Sequence, residues 1–282
     1  MNATYGPIDL DDLITNANEL APLPASTVRL ASLISRHDYD LHEAAEIVSY
    51  DQALTMKLLR AANSAAEAAE SRITTADDAV FRLGAAQVLT LCVASSVGPI
   101  AQGAVPGYGL AEGGLWRHSV AAARASEALA SACRTPIPPE TFTAALLHDI
   151  GKLVMGRFLS AEILDWLDRA RGIGFTALEA ETQVLQVHHG ELGGIIAQHW
   201  GLPMSIVHGI VHHHHPEEHP EVICDAVCLA NLAAKRIEAP NAVITPQAGL
   251  LERLGLSAVE LDELCDKSIA RFDEVKGRFG VR

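Results

Sequence analysis

The sequence predicts an all-α, two-lobed helical protein, and three observations lead there. Of the 282 residues, 49% are hydrophobic but only 5% aromatic. Alanine and leucine dominate, and runs of β-branched or aromatic residues are scarce, a balance that favours helix over strand. Apolar positions recur at helical spacing, with capping signals in front of several runs. Finally, a stretch rich in glycine and proline, Gly98 to Gly114, divides the helical pattern in two.

Taken in order, a short acidic helix is expected around Asp9 to Leu20. Ala21-Pro22-Leu23-Pro24 then forces an extended segment. Ser26 is expected to cap a helix carrying Val28, Leu30, Leu33 and Ile34, and Asp40 with Glu43 marks the start of the next. Asp51 to Ser64 repeats Leu54, Leu58 and Leu59 on one face. Asn63-Ser64, small polar residues at a helix end, read as structural. Ile73-Thr74-Thr75 introduces Ala76 to Leu83, Gly84 interrupts, and Val88 to Val97 is apolar enough for a core helix. Gly98 to Gly114 reads as a flexible connection between the lobes.

After it, Leu115 opens an alanine-rich helix to about Cys133, and three prolines separate this from a helix carrying His148 and Asp149. A helix from Ala161 to Arg171 stops at Gly172. Thr176 and Glu179 form a capping box for a helix running toward His188 and His189. In Met204 to Pro216, helical phase places His213 and His214 with Ile206, Val207 and Ile210, and groups His208, His212 and His215 on another side. A helix from Val222 to Ile237 follows. Residues 241–282 add two more, the second opened by Ser257 and Glu260.

Charge and targeting signals narrow the function. There are 35 acidic and 21 basic residues, a formal charge of -14, so attraction to nucleic acid or anionic lipid is not expected. The first twenty residues lack the basic and apolar regions of a secretory signal. No apolar run reaches membrane-spanning length. Five irregularly spaced cysteines, Cys224 and Cys228 among them, read as structural and reduced, which fits a cytoplasmic protein.

The chemistry concentrates in Leu146-Leu147-His148-Asp149-Ile150-Gly151-Lys152. An imidazole and a carboxylate side by side in an apolar run must be paired, hydrogen-bonded or bound to metal. His118, His148, Asp149, His189, His213 and His214 form a series over four predicted helices. Helical bundles build metal centres by turning such side chains into one interior. Each residue alone is more often a satisfied core or surface histidine. Several inward histidines together would repel when protonated and lack partners when neutral, and a divalent cation resolves both problems. Histidine and carboxylate ligands suit iron, zinc, manganese and nickel alike.

Two sets of motifs carry a family resemblance. Leu23-Pro24, Asp51-Gln52-Ala53-Leu54-Thr55, Lys57-Leu58-Leu59-Arg60, Asn63-Ser64, Ile73, Ala79-Val80 and Leu83-Gly84 resemble the N-terminal half of HDOD domains. These are bacterial regulatory relatives of the HD phosphohydrolases. His118, His148-Asp149, His189-Gly190-Glu191-Leu192-Gly193, Trp200-Gly201-Leu202-Pro203 and His213-His214 with Pro216 resemble the second half, an HD-like lobe. The resemblance implies an HDOD domain over 15–240, divided into lobes at 15–100 and 113–240, between an N-terminal segment 1–14 and a helical extension 241–282.

In the HD-GYP phosphodiesterases this series holds two metals. Mapped here, that implies one site of His118, His148 and Asp149 and a second sharing Asp149 with His189, His213 and His214. It also implies Lys152 beside a substrate phosphate. The closing aspartate aligns with Asn231, an uncharged and weaker ligand, which disfavours the first site. Asp225 lies out of phase to replace it. No Asp-Gly-x-Gly-Tyr-Pro follows His214, so HD-GYP activity on cyclic di-GMP is not implied. The resemblance implies a signal-transduction output domain acting on other signalling proteins of the histidine kinase, receiver or diguanylate cyclase type. Two alternatives remain: a metal-dependent phosphohydrolase using Asp149 and Lys152 on a phosphate ester, and a metal or redox sensor.

Overall fold

The computed structural model describes residues 14–17, 19–36, 38–64, 73–239 and 241–275. The predicted acidic helix falls partly outside them, and within them residues 14–17 are helical. The fold is all-α. Among the described residues the one β feature is an isolated bridge between Val105 and Leu110.

The first half contains α1 (Ala25–Ile34), α2 (Leu41–Ser49), α3 (Gln52–Ser64), α4 (Ala76–Leu83) and α5 (Ala85–Ala101). Asp40 and Thr75 cap α2 and α4 by accepting from His42 N and Asp78 N. Ser26 does not cap α1, which begins directly after Pro24. Its hydroxyl instead donates to Asp51 Oδ2 at 2.8 Å, while Asp51 Oδ1 accepts from Leu54 N at the start of α3. Ser26 thus ties two helix starts together, a tertiary role that outweighs its local capping preference. Asn63 is structural as expected: its amide donates to the carbonyls of Leu59 and Ile73 and accepts from Ile73 N, tying Ile73 to the last turn of α3.

Gly84, with φ of +79°, turns the chain by 104° between α4 and α5. Those two helices satisfy the length and composition of a membrane span only when taken together. No single described helix is long and apolar enough to cross a membrane.

The expected flexible connection from Gly98 to Gly114 is corrected in two ways. Helix α5 continues through Gly98 and Pro99 to Ala101, with the Trp116 ring packed against Gly98. The remainder is folded onto the second half. Val105 pairs with Leu110 through two backbone hydrogen bonds, a 3₁₀ turn spans Pro106–Tyr108, and the buried Val105 side chain lies so close to Gly156 that no Cβ fits between them. Glycine here permits close packing as well as turning.

The second half comprises α6 (Gly114–Ala132), α7 (Thr141–Leu147), α8 (Gly151–Phe158), α9 (Ala161–Gly172), α10 (Ala177–Leu185), α11 (His189–His199), α12 (Met204–Val211) and α13 (Val222–Glu238), followed by α14 (Leu250–Leu254) and α15 (Ala258–Val275). Helix α6 is the axis of this half, packed against α7, α13 and α15, while α12 lies against α7, α11 and α13. Helix α5 packs on α7 and joins the two halves. The Thr176–Glu179 capping box forms, and Ser257 and Glu260 make the same reciprocal bonds ahead of α15. Buried Asp225 receives Arg253 of α14 through both carboxylate oxygens, at 2.6–3.1 Å. That pair anchors the C-terminal helices and removes Asp225 from any ligand set.

All five cysteines are free thiols, and burial pushes Cys92, Cys224 and Cys228 up to about 12 and Cys133 and Cys265 up to about 11. Such thiols stay protonated and unreactive near neutral pH. The redox form of the sensor reading therefore lacks a reactive thiol.

Candidate metal centre

His148 and Asp149 were expected within one helix, but the chain breaks there. Helix α7 ends at Leu147, His148 to Ile150 form a turn, and α8 starts at Gly151. Backbone bonds from Ile150 N to Leu147 O and from Lys152 N to Asp149 O are of the tighter i to i−3 type. The cause is tertiary. A Cβ on Gly151 would fall 2.0 Å from His189 O and 2.8 Å from Gly193 N, so the start of α11 presses directly on the α7–α8 corner. This contact brings His189 beside Asp149.

The turn aims His148 and Asp149 into the interior, where they are 0% and 2% exposed. His118 comes from α6 and His189 from the first residue of α11. His213 and His214 lie just past α12, which ends at Val211 and not, as helical phase supposed, beyond them. The inward direction nonetheless agrees, with His213 fully buried and His214 half-buried.

Asp149 stands between two groups of imidazoles. Its Oδ1 is 3.3 Å from His189 Nε2 and 3.9 Å from His213 Nε2. Its Oδ2 is 3.5 Å from His148 Nε2 and 3.8 Å from His118 Nε2. His214 Nε2 approaches His189 Nε2 to 2.9 Å. All six predicted positions are thus brought together, in the two trios His118–His148–Asp149 and His189–His213–His214. Asn231 joins the first trio, its Oδ1 lying 3.1 Å from His118 Nε2. Lys152 Nζ lies 2.7 Å from Asp149 Oδ2.

The tautomers follow from the outer contacts. His148 Nδ1 donates to Ala145 O, His213 Nδ1 to Ile210 O, and His189 Nδ1 to Glu181 Oε2 at 2.7 Å. Each ring therefore turns an Nε2 lone pair inward. His148 Nε2, His213 Nε2 and Asp149 Oδ1 are buried without a hydrogen-bond partner. Neutral imidazoles oriented through Nδ1–H toward a shared anionic centre are the usual arrangement around a divalent cation. The orphaned acceptors are what such an ion would satisfy, so the residues present fit a metal.

Electrostatics keeps the donors in ligating form. Burial lowers His148 to about 3 and His214 to about 2, the second helped by His189, and burial holds His213 well below the ordinary imidazole range. For Asp149, burial by itself would raise the pKa, but Lys152 and then the neighbouring histidines hold the carboxyl well below the usual range. At neutral pH, Asp149 is therefore ionised and His148, His213 and His214 are neutral before any ion arrives.

Several supporting residues carried no sequence signal strong enough to select them. Glu181, 1% exposed, accepts from both the backbone N and Nδ1 of His189. Its only trace in the sequence is an acid on the face that Ala180, Val184 and Leu185 bury. Tyr108, from the segment expected to be flexible, donates to Met155 Sδ and lies with its ring 5.5 Å from Lys152 Nζ. Glu238 receives His118 Nδ1 at 3.0 Å across 120 residues of sequence, and Gln247 donates to His214 O.

Glu181→Gln is expected to lower the affinity of the centre for zinc about 10- to 100-fold, the usual cost of losing a carboxylate behind a ligating histidine. Calorimetric titration of chelator-treated protein measures it. An unchanged affinity would mean that His189 is not a ligand.

A family model, HDOD domain, matches residues 20–216, well over half of the chain. The chain belongs to the HDOD family. A relative in Treponema pallidum (strain Nichols), carrying the name Uncharacterized protein, is 26% identical over 237 residues, or 78% of this chain and 43% of its own length. The HDOD chain thus spans less than half of the curated relative it matches. Among solved structures, a Marinobacter aquaeolei VT8 protein provisionally named for signal transduction superposes with a TM-score of 0.74 at 21% identity, over 96% of this chain and 65% of its own. A Shewanella amazonensis SB2B protein provisionally named a phosphohydrolase gives 0.66 at 24% identity, over 93% and 97%. At these identities the structural likenesses establish the shared HDOD fold alone.

Proposed function

We propose that this HDOD chain is a signal-transduction output module that holds one divalent cation through Asp149, His189, His213 and His214 and acts through contacts with other signalling proteins. The partner classes are those the family resemblance implies: histidine kinase, receiver or diguanylate cyclase type proteins. The cation is structural or regulatory in this reading and comes from the group iron, zinc, manganese or nickel.

The observation that carries the reading is the local chemistry of the first trio. His118 Nδ1 faces the Glu238 carboxylate, and its Nε2 meets the Asn231 amide directly. An amide can present either a carbonyl or an NH₂ group, so it serves that nitrogen with no ion present. An aspartate at 231 would instead put two electron-rich atoms face to face and call for a cation between them. Lys152 already neutralises Asp149 Oδ2, the oxygen turned toward this trio. In the first trio, His118 and Asp149 Oδ2 are thus served by protein groups and His148 Nε2 is the one atom left without a partner, whereas toward the second trio both Asp149 Oδ1 and His213 Nε2 are left without one.

The second reading, a metal-dependent phosphohydrolase, draws on the retained ligand series and on Lys152, whose side chain is 19% exposed and can reach a phosphate. A bound divalent cation would supply Lewis acidity. Asp149 would be shared between the two halves of the centre, and Lys152 would neutralise charge on the phosphate.

Hydrolysis of a generic phosphodiester with added manganese separates the two readings. The unmodified chain is expected to give no turnover above background, while Asn231→Asp is expected to raise metal uptake by one equivalent. Robust hydrolysis by the unmodified chain, lost in Asp149→Ala and not increased by Asn231→Asp, would establish the enzyme instead.

A further inference from the structure

A second group of donors lies apart from the centre, with His208 on α12 and His219 and Glu221 just before α13. His208 Nδ1 is 3.1 Å and His219 Nε2 is 3.0 Å from the same oxygen, Oε1 of Glu221. The three donor atoms lie within 4.8 Å of one another. We propose that His208, His219 and Glu221 form a separate surface site for a divalent transition-metal ion of the zinc or nickel class. This site is independent of the central one and of the function proposed for it.

The spacing is the first argument. Ligand atoms about 2.1 Å from an ion and at tetrahedral or octahedral angles sit roughly 3.0–3.4 Å apart, and both measured separations to Glu221 Oε1 fall in that interval. The donor chemistry is the second. Two imidazoles with one carboxylate suit borderline ions such as zinc, whereas calcium and magnesium prefer sites made of oxygen.

A third argument is that Glu221 is not used where its position would use it. It is the N-cap residue of α13, yet its side chain makes no capping bond and turns toward the two imidazoles. Access is also open: the side chains of His208, His219 and Glu221 are 25%, 33% and 43% exposed, leaving further coordination positions to water. His212, one turn after His208, lies flat against His219 at an interplanar angle of 11°. It therefore supports that ring and is not counted among the ligands. His219 and Glu221 also lie beyond residue 216, where the family match ends.

The alternative is a plain hydrogen-bonded triad in which each ring donates to Glu221. Zinc titration of the full chelator-treated chain, followed by calorimetry, distinguishes the two. Asp149→Ala is expected to keep one zinc equivalent, and Asp149→Ala combined with His208→Ala and His219→Ala is expected to lose it. In the otherwise unmodified chain, His208→Ala with His219→Ala should remove one equivalent, an arm that does not depend on how Asp149→Ala folds. Glu221→Gln preserves an acceptor for both rings but removes the anion, and should weaken this equivalent at least tenfold. Equal zinc stoichiometry and affinity with and without His208 and His219 would overturn the site and leave only the triad.

Discussion

Replacing Gly151 by alanine is expected to destabilise the protein by about 3 kcal/mol and to lower its melting temperature by about 6–12 °C. The added methyl would meet His189 O at 2.0 Å, with Gly193 N and His189 C inside 3 Å as well. All three are backbone atoms at the start of α11, so no side-chain rotation relieves the contact. The helix must move away from the α7–α8 corner. That movement separates His189 from Asp149, so zinc affinity at the centre should fall together with stability. Gly172→Ala is the control, since nothing lies within 4 Å of a Cβ there and alanine is the better helix former by up to about 1 kcal/mol. Thermal melts of the two variants should therefore shift in opposite directions. A Gly151→Ala protein with unchanged melting temperature and zinc affinity would show that the α8–α11 contact is not what assembles the centre.

The second large effect is expected from Asp149→Ala. Among the buried groups turned into the centre, Asp149 supplies the one carboxylate facing both trios. Without it, the inward imidazoles have no anion to offset a dication, and affinity should fall by more than about 100-fold, beyond the loss typical of an outer-shell change. The readout is metal-dependent stabilisation. At a free concentration about 1,000 times the dissociation constant, an ion that binds only the folded state adds roughly 4 kcal/mol. In a His208→Ala, His219→Ala background, zinc should raise the melting temperature of the chain with Asp149 and leave the Asp149→Ala chain almost unmoved. Equal stabilisation of both would place the ion elsewhere.

These effects mark which parts of the structure the sequence expresses locally. Helix starts were legible where the signal is a short-range exchange of hydrogen bonds, as at Asp40, Thr176–Glu179 and Ser257–Glu260. Ser26 carried the same signal but spends its hydroxyl on Asp51, a choice settled only when α1 and α3 meet. The positions of the centre, His118 through His214 with Asn231, were legible through family motifs.

The break at His148 to Ile150 was not legible, because it is imposed by α11 pressing on Gly151 from about forty residues further along the chain. The supports behind the ligands were hidden for the same reason. Glu238 reaches His118, and Gln247 the backbone of His214, through contacts distant in sequence. The glycine-rich segment resembled a loose connection in composition. In fact Gly156 of α8 admits the Val105 side chain, and Gly107 within the segment packs against Leu164 of α9, a packing role that looks the same in sequence as a flexible one.

The central claim is that Asp149, His189, His213 and His214 together hold a divalent cation. Metal analysis with X-ray absorption at the metal edge tests it directly, using protein that carries His208→Ala and His219→Ala and is purified without chelator. The expected result is close to one ion per chain, with a nitrogen and oxygen shell at about 2.0–2.3 Å and the scattering pattern of several imidazoles. A negligible metal content after zinc, iron, manganese and nickel have each been offered, or an equal content in the same protein carrying Asp149→Ala and His189→Ala, would contradict it.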